Sequence, residues 1–265
     1  MLGHVLLNKL ELDGSFEVYD VTRSKQNRPN NLVCDVSNTD LLLQTIKSLK
    51  PHLIINCIGV LIKGSNNNPS DAILLNALLP HKLVEFSKLV GAKLIHISTD
   101  CVFDGSKGSY IETDSKTAQD TYGLSKSLGE INDNENLTLR TSIIGPELKK
   151  NGEGLFSWFI NQKGEVNGFT ESIWGGVTTL VLFDVIIKSI KDDLTGIIHV
   201  TNGEPISKFN LLNLIKQKFN LTNIKLVSVP GKKSDKSLKT NYNYFDIPTY
   251  EKMIDEMMKF YIKSY

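Results

Sequence analysis

Two short stretches hold residues that could do chemistry together. Ser98-Thr99-Asp100 closes an apolar run that begins at Lys93, and further on Tyr122 and Lys126 stand four residues apart. On a helix that spacing puts both side chains on one face. Reduction of a carbonyl by hydride leaves negative charge on the oxygen. The site then needs a proton donor and a second hydrogen bond to that oxygen. Thr99 offers the hydrogen bond and Tyr122 the proton. The Lys126 ammonium would lower a phenol pKa that is normally about 10. The bare Tyr-x-x-x-Lys spacing is a weak signal in a lysine-rich chain with 8 tyrosines. Its weight comes from what surrounds it.

Leu94 to Ile97 reads as a buried strand, short and β-branched, with the hydroxyls at its C-terminal end. Open α/β sheets place their ligands there. Upstream, Met1 to Leu10 is helix-like and ends near Gly14. Phe16 to Asp20 and Leu32 to Val36 read as strands, and Thr39 to Lys50 as an amphipathic helix stopped by Pro51. Leu53 to Cys57 is a third strand. Ser70 to Val90 is a long helix that Pro80 should kink and Gly91 should cap. This βαβαβ rhythm with near-continuous apolar strands predicts a doubly wound parallel sheet covered by helices on both faces. Downstream, Leu137–Arg140, Gly196–Val200 and Ile224–Val229 read as strands. Gly154–Gln162, Val177–Lys191, Ser207–Phe219 and Tyr250–Tyr261 read as helices. The simple rhythm is lost from about Gly145 to Ile173 and again after Asn202, which predicts a smaller cap over the sheet.

A chain of 265 residues suffices for one large α/β domain, or a domain with a small cap. With a net charge of +1, no global field draws it to nucleic acid or a membrane surface. The longest apolar run, Leu53 to Ile62, is too short to span a bilayer. Cys34, Cys57 and Cys101 are widely spaced, with no metal-binding pattern. They are expected to be free thiols, as suits a reducing cytoplasm.

Three segments in order, Ile97-Ser-Thr-Asp-Cys-Val-Phe-Asp-Gly105, Tyr122-Gly-Leu-Ser-Lys126-Ser-Leu-Gly-Glu130 and Leu139-Arg-Thr-Ser-Ile-Ile-Gly-Pro146, resemble the extended short-chain dehydrogenase/reductase superfamily. Within it they are most similar to the dTDP-4-dehydrorhamnose reductase family of sugar-nucleotide ketoreductases. The resemblance covers nearly the whole chain. It implies an α/β fold, with a Rossmann-like NAD(P)-binding domain at 1–145. Residues 146–265 would form a substrate-binding cap interleaved with the last elements of that domain. It implies Thr99, Tyr122 and Lys126 as the catalytic set, with Lys126 also holding the nicotinamide ribose. Asn56, Cys57 and Gly59 would lie against the adenosine and ribose, Asp35 and Val36 against the adenine, and Asn76 would serve from its helix. Trp174, in Ser172-Ile-Trp-Gly-Gly-Val-Thr178, resembles the substrate-side segment; a core tryptophan is an equal alternative. The implied partner is a sugar nucleotide, reduced at its 4-keto group, and a homodimer is left open. Arg23 can accommodate a 2′-phosphate and favours NADPH; Asp20 leaves NADH open. No metal is implied.

The family begins with a strand and a glycine-rich turn that binds pyrophosphate at a helix N-terminus. Met1-Leu2-Gly3 matches only the third glycine of that turn. In one account the first strand would lie upstream of Met1, in about a dozen further residues; in the other the protein is short, with impaired dinucleotide binding, and inactive as given. In either case the sheet is expected to show a break where that strand belongs. Two other functions share the scaffold. One is a non-catalytic regulatory subunit, against which the intact Thr99, Tyr122 and Lys126 speak. The other is a sugar-nucleotide epimerase or dehydratase. For a dehydratase, Asp100 is in place but Cys101 stands where a Glu is expected.

Overall fold

The structure is a computed structural model and describes residues 1–148 and 152–264. Helix α1 (Leu2–Asp13) ends at Gly14, whose φ of 71° is the left-handed conformation that a residue without Cβ adopts at little cost. Strands β1 (Asp20–Thr22) and β2 (Asn31–Val33) follow and pair in parallel. Both differ from the sequence expectation. The first starts only at Asp20, because the Asn30 side chain takes the carbonyl of Val18 at 3.0 Å. The second stops at Val33. Beyond it Asp35 Oδ1 accepts from the amide and hydroxyl of Ser37 at 3.0 and 2.8 Å and turns the chain.

Helix α2 (Thr39–Leu49) is capped by Asn38, whose Oδ1 accepts from the Leu41 amide at 3.0 Å. After β3 (Leu53–Asn56) come α3 (Ile62–Asn67), α4 (Pro69–Ala72), a π turn at Ile73–Leu78 and α5 (Leu79–Val90). The single kinked helix expected at Ser70–Val90 is therefore two helices joined by a π turn. Pro80 has no N–H for the carbonyl of Asn76. The wider turn leaves Pro80 in the first turn of α5, where a missing donor is tolerated.

Next come β4 (Lys93–Thr99), α6 (Thr121–Leu128), β5 (Leu137–Thr141), β6 (Ile143–Ile144) and α7 (Leu155–Ile160). They are followed by β7 (Gly164–Phe169), β8 (Ser172–Trp174), β9 (Val177–Thr178), α8 (Thr179–Lys191) and β10 (Gly196–His199). The chain closes with β11 (Ile206–Ser207), α9 (Lys208–Lys218), β12 (Ile224–Val229), β13 (Ser234–Asp235) and α10 (Tyr250–Ser264). Residues 149–151 of the expected cap lie outside the described residues.

The main sheet has the order β10-β5-β4-β3, parallel throughout. Strands β1 and β2 stand as a separate two-stranded sheet, so the parallel sheet is divided as expected. Smaller pairings gather in the C-terminal half: β7 with β12, and β8 between β11 and β13.

Side chains alternate along the central strands and bury both faces. On one face Ile95, Leu137, Leu139 and Ile198 pack with Leu2 and Leu6 of α1, Phe156 of α7 and Ile186 of α8. On the other Leu94 packs with Leu42 and Ile46 of α2 and Leu83 and Phe86 of α5. Each such side chain contributes about 1.5–3 kcal/mol on removal from water. Helices on both faces of a parallel sheet are the doubly wound arrangement that the strand rhythm predicts. The central strands then all deliver their C-terminal residues to one edge.

Candidate active site

At that edge β4 ends in Thr99. Its hydroxyl donates to Asp100 Oδ1 at 3.1 Å and accepts from the Cys101 amide at 3.1 Å, which starts a short 3-10 turn. Helix α6 opens opposite. Asp120 caps it, accepting from the Gly123 amide at 2.9 Å. Gly123 lets the first turn press on the preceding segment; a Cβ there would run into the carbonyl of Cys101 and into Ala118. Close approach of the two backbones brings Tyr122, one residue earlier, beside Thr99, close enough for the threonine hydroxyl to act on the phenol.

One turn further along α6, Lys126 is 4% exposed. Its Nζ donates to the carbonyl of Ile97 at 2.6 Å and lies 3.3 Å from His96 Nε2. Thr99, Tyr122 and Lys126 are thus gathered against the last three residues of β4. The lysine is turned toward the strand, and the groups acting on the phenol are others. Burial pushes the Tyr122 phenol up, and Cys101, Asp100 and Asp120 add to this against the lowering influence of the Thr99 hydroxyl. Lysine lowering of the tyrosine, expected from the spacing, is not among the main influences on the phenol, and the Lys126 Nζ has partners of its own on β4. Burial brings Lys126 itself down to about 8, against the pull of Glu130. Asp100 is also pushed up by burial, opposed by Lys236.

The residues expected at a cofactor fall in two groups. Gly3 and Gly59 are both exposed and flank Cys57 at the end of β3; a Cβ on Gly3 would stand 3.7 Å from that of Cys57. Asn56 and Asn76 are buried and have protein partners. Asn56 Oδ1 accepts from the Ile58 amide at 3.0 Å, and its Nδ2 faces His96 Nδ1 at 3.1 Å. Asn76 holds both backbone groups of Val60, at 2.8 and 2.9 Å, and donates to Ser125 of α6 at 3.1 Å. It fixes the loop after β3 rather than presenting free polar atoms. Arg23 and Asp35 are exposed beyond β1 and β2. Hydrogen bonds from Ser37 hold the Asp35 carboxyl low, and Arg23 assists. Val36 is packed against the second core cluster.

Trp174 is 5% exposed, donates to Ser142 Oγ at 2.9 Å and packs on Tyr250 with ring centroids 5.6 Å apart. Its ring belongs to the core, the alternative weighed from sequence, and offers no open face for stacking. Among the described residues no cluster of His, Cys, Asp and Glu is arranged to hold a metal, and no helix is long and apolar enough to cross a membrane.

Sequence reasoning missed the buried polar layer under the site. Glu130 accepts from Arg140 Nε at 2.8 Å and Nη2 at 2.7 Å, and from Ser98 Oγ at 2.6 Å. Arg140 Nη1 donates to His199 Nε2 at 2.7 Å, and His199 Nδ1–H donates to the carbonyl of Lys239 at 2.8 Å. A signal was available. His96 and Ser98 are polar at i and i+2 in an otherwise apolar strand, so they share one face.

A doubly wound sheet with a Thr, a Tyr and a Lys gathered at the ends of its central strands defines the extended short-chain dehydrogenase/reductase class. The family model described as RmlD substrate binding domain matches residues 1–243, and the chain belongs to that family. A dTDP-4-dehydrorhamnose reductase of Shigella flexneri is 34% identical over 98 residues, 36% of this chain and 33% of that protein. The chain matches about a third of the length of these curated reductases. The methionine adenosyltransferase 2 subunit beta of Xenopus tropicalis is 27% identical over 190 residues, 66% of this chain and 57% of that protein. Among solved structures, a dTDP-4-dehydrorhamnose reductase of Bacillus anthracis in complex with NADP superposes with a TM-score of 0.81. It covers 99% of this chain and 95% of its own at 22% identity.

Proposed function

We propose that the chain is an NAD(P)H-dependent oxidoreductase. It reduces the 4-keto group of a 4-keto-6-deoxy sugar nucleotide, of the dTDP-4-dehydrorhamnose kind, in deoxysugar supply for surface polysaccharide. The observation that carries this reading is the placing of Tyr122, at the start of α6, beside Thr99 at the end of β4, in a chain of this family. The reaction requires two hydroxyls around one oxygen.

The residues present fit a dinucleotide. The first turn of α1 has no side-chain cap, so its amides and the positive end of the helix suit a pyrophosphate. Gly3 and Gly59 leave the backbone beside it open to close approach. Arg23 would meet the 2′-phosphate that distinguishes NADPH, and Asp35 and Val36 would lie at the adenine. When bound, NADPH supplies the hydride. Thr99 orients the substrate carbonyl by a hydrogen bond. Tyr122, kept protonated by burial, donates the proton to the developing alkoxide. Lys126 lies one helical turn behind the tyrosine and would hold the nicotinamide ribose. Three free thiols accord with a cytoplasmic setting.

The test is to mix the protein with NADPH and a dTDP-4-keto-6-deoxy sugar and follow nicotinamide absorbance. Consumption of NADPH with formation of the 4-hydroxy sugar supports the reading; no consumption with any keto sugar nucleotide refutes it. A second reading, a non-catalytic regulatory subunit, is favoured by the relative that covers 66% of this chain. Tight binding to a partner enzyme without turnover would select it.

A further inference from the structure

Lys126 is linked through His96 and Asn56 to the loop that follows β3. The hydrogen-bond roles along this line can be assigned from its end. The Ile58 amide is a donor, so the Asn56 atom 3.0 Å from it is the carbonyl oxygen. The other Asn56 atom is then the amide nitrogen, which can only donate, and it faces His96 Nδ1 at 3.1 Å. Nδ1 must therefore be the bare nitrogen, and the ring proton sits on Nε2. Nε2–H points at Lys126 Nζ, 3.3 Å away. An ammonium has three donors and no acceptor, whereas a neutral amine has a lone pair for this proton. The same Nζ can still donate to Ile97 at 2.6 Å.

We infer that His96 is a positioning residue for Lys126, and that the Asn56–His96 relay couples the protonation of Lys126 to the loop at Ile58. In the arrangement seen, the relay favours the neutral amine. When Nζ binds a proton, the ring proton must move from Nε2 to Nδ1, so that Nε2 can accept. Asn56 must then turn its oxygen to Nδ1–H, and the Ile58 amide loses its acceptor. Net uptake is one proton, on Nζ. Burial holds the His96 imidazole well below its usual range, so the ring exchanges tautomers and stays neutral. The other ionisable groups acting on the pair are Glu130, which favours the ammonium, and His81 of α5, which acts on His96.

The inference deepens the proposed reaction and rests on it only for the role given to Lys126. Its readout is a resonance and not a rate, so a protein without turnover would still report it. The experiment is a pH titration by nuclear magnetic resonance of the whole chain, with nitrogen-labelled histidine and carbon-labelled lysine. The Lys126 signal is assigned by its loss in Lys126→Met. At high pH, Nε2 of His96 should carry the proton; as pH falls, the tautomer should reverse with the same midpoint as Lys126. In Lys126→Met, Nε2 should keep its proton throughout. In His96→Gln, the amide oxygen can face Nζ, and the lysine midpoint should rise by about one pH unit, a tenfold gain in proton affinity. One unchanging tautomer in the wild-type protein overturns the relay, as does a reversal that persists in Lys126→Met. An unmoved lysine in a folded His96→Gln protein overturns it too.

Discussion

Lys126 Nζ lies 2.6 Å from the carbonyl oxygen of Ile97, so the lysine of α6 is tied to the strand that carries Thr99. The bond runs between the two elements that supply the site. It fixes the rotation of α6 about its own axis and therefore the direction in which Tyr122 points. Lys126 Nζ is engaged by the strand and by His96 beneath it, and burial and nearby acids raise the tyrosine proton affinity.

Gly123 is a point of close approach between α6 and the turn after β4. Gly123→Ala should cost about 1–3 kcal/mol in stability, since the added methyl meets the backbone carbonyl of Cys101 and has no flexible neighbour there to displace. Turnover should fall with it, because Tyr122 moves away from Thr99. Urea denaturation and single-turnover kinetics on the same preparation check both. A variant as stable and as active as wild type would remove Gly123 from the account.

Glu130 and Arg140 form a two-point ion pair, with side chains 1% and 2% exposed. Arg140→Leu should destabilise the fold by about 3–5 kcal/mol, because it leaves the carboxylate buried without its main partner. The midpoint of urea unfolding measures this. A loss below about 1 kcal/mol, the scale of a surface pair, would show that water or Lys116, whose Nζ lies 3.3 Å from Glu130 Oε2, replaces the guanidinium.

Acid should unfold the protein through the same layer. Burial first, then the Arg140 guanidinium, bring His199 down to about 4. The unfolded chain takes up that proton at about 6.5. Below about 6.5 the unfolded state binds more protons, so this contribution is full above that pH and is lost as pH falls toward 4. Glu130, held low by Arg140 and Ser98 against its burial, acts in the same direction: its stabilisation is present above the ordinary carboxylate range and lost below it. Unfolding midpoints from about pH 7.5 to 4.5 should fall in the wild type and fall less steeply in His199→Gln. Parallel curves would contradict the role given to His199.

Much of this arrangement was legible in the sequence. The strand at Leu94–Ile97, the helix carrying Tyr122 and Lys126 and the parallel sheet follow from apolar runs and spacing, which report burial directly. The π turn before Pro80 was not legible, because a proline marks where a hydrogen bond is lost and not how the chain adapts. Nor was the direction of Lys126. Spacing places it on the face of Tyr122, but its partner, the carbonyl of Ile97, is a backbone atom that a sequence pattern cannot single out. The core position of Trp174 depended on Ser142 and Tyr250, distant in sequence and adjacent in the fold.

Cofactor preference should rest on Arg23. Arg23→Ala should raise KM for NADPH about tenfold, the equivalent of roughly 1.4 kcal/mol, and leave KM for NADH nearly unchanged. Steady-state kinetics with both nucleotides decides. Equal effects on the two would place the 2′-phosphate elsewhere.

The most direct measurement is reduction of a 4-keto sugar nucleotide by Tyr122→Phe, with NADPH binding followed separately by fluorescence. Only the proton donor is removed. Turnover should drop by about 10²–10⁴-fold while NADPH affinity stays near that of the wild type. Turnover at the wild-type rate would contradict the account at its centre.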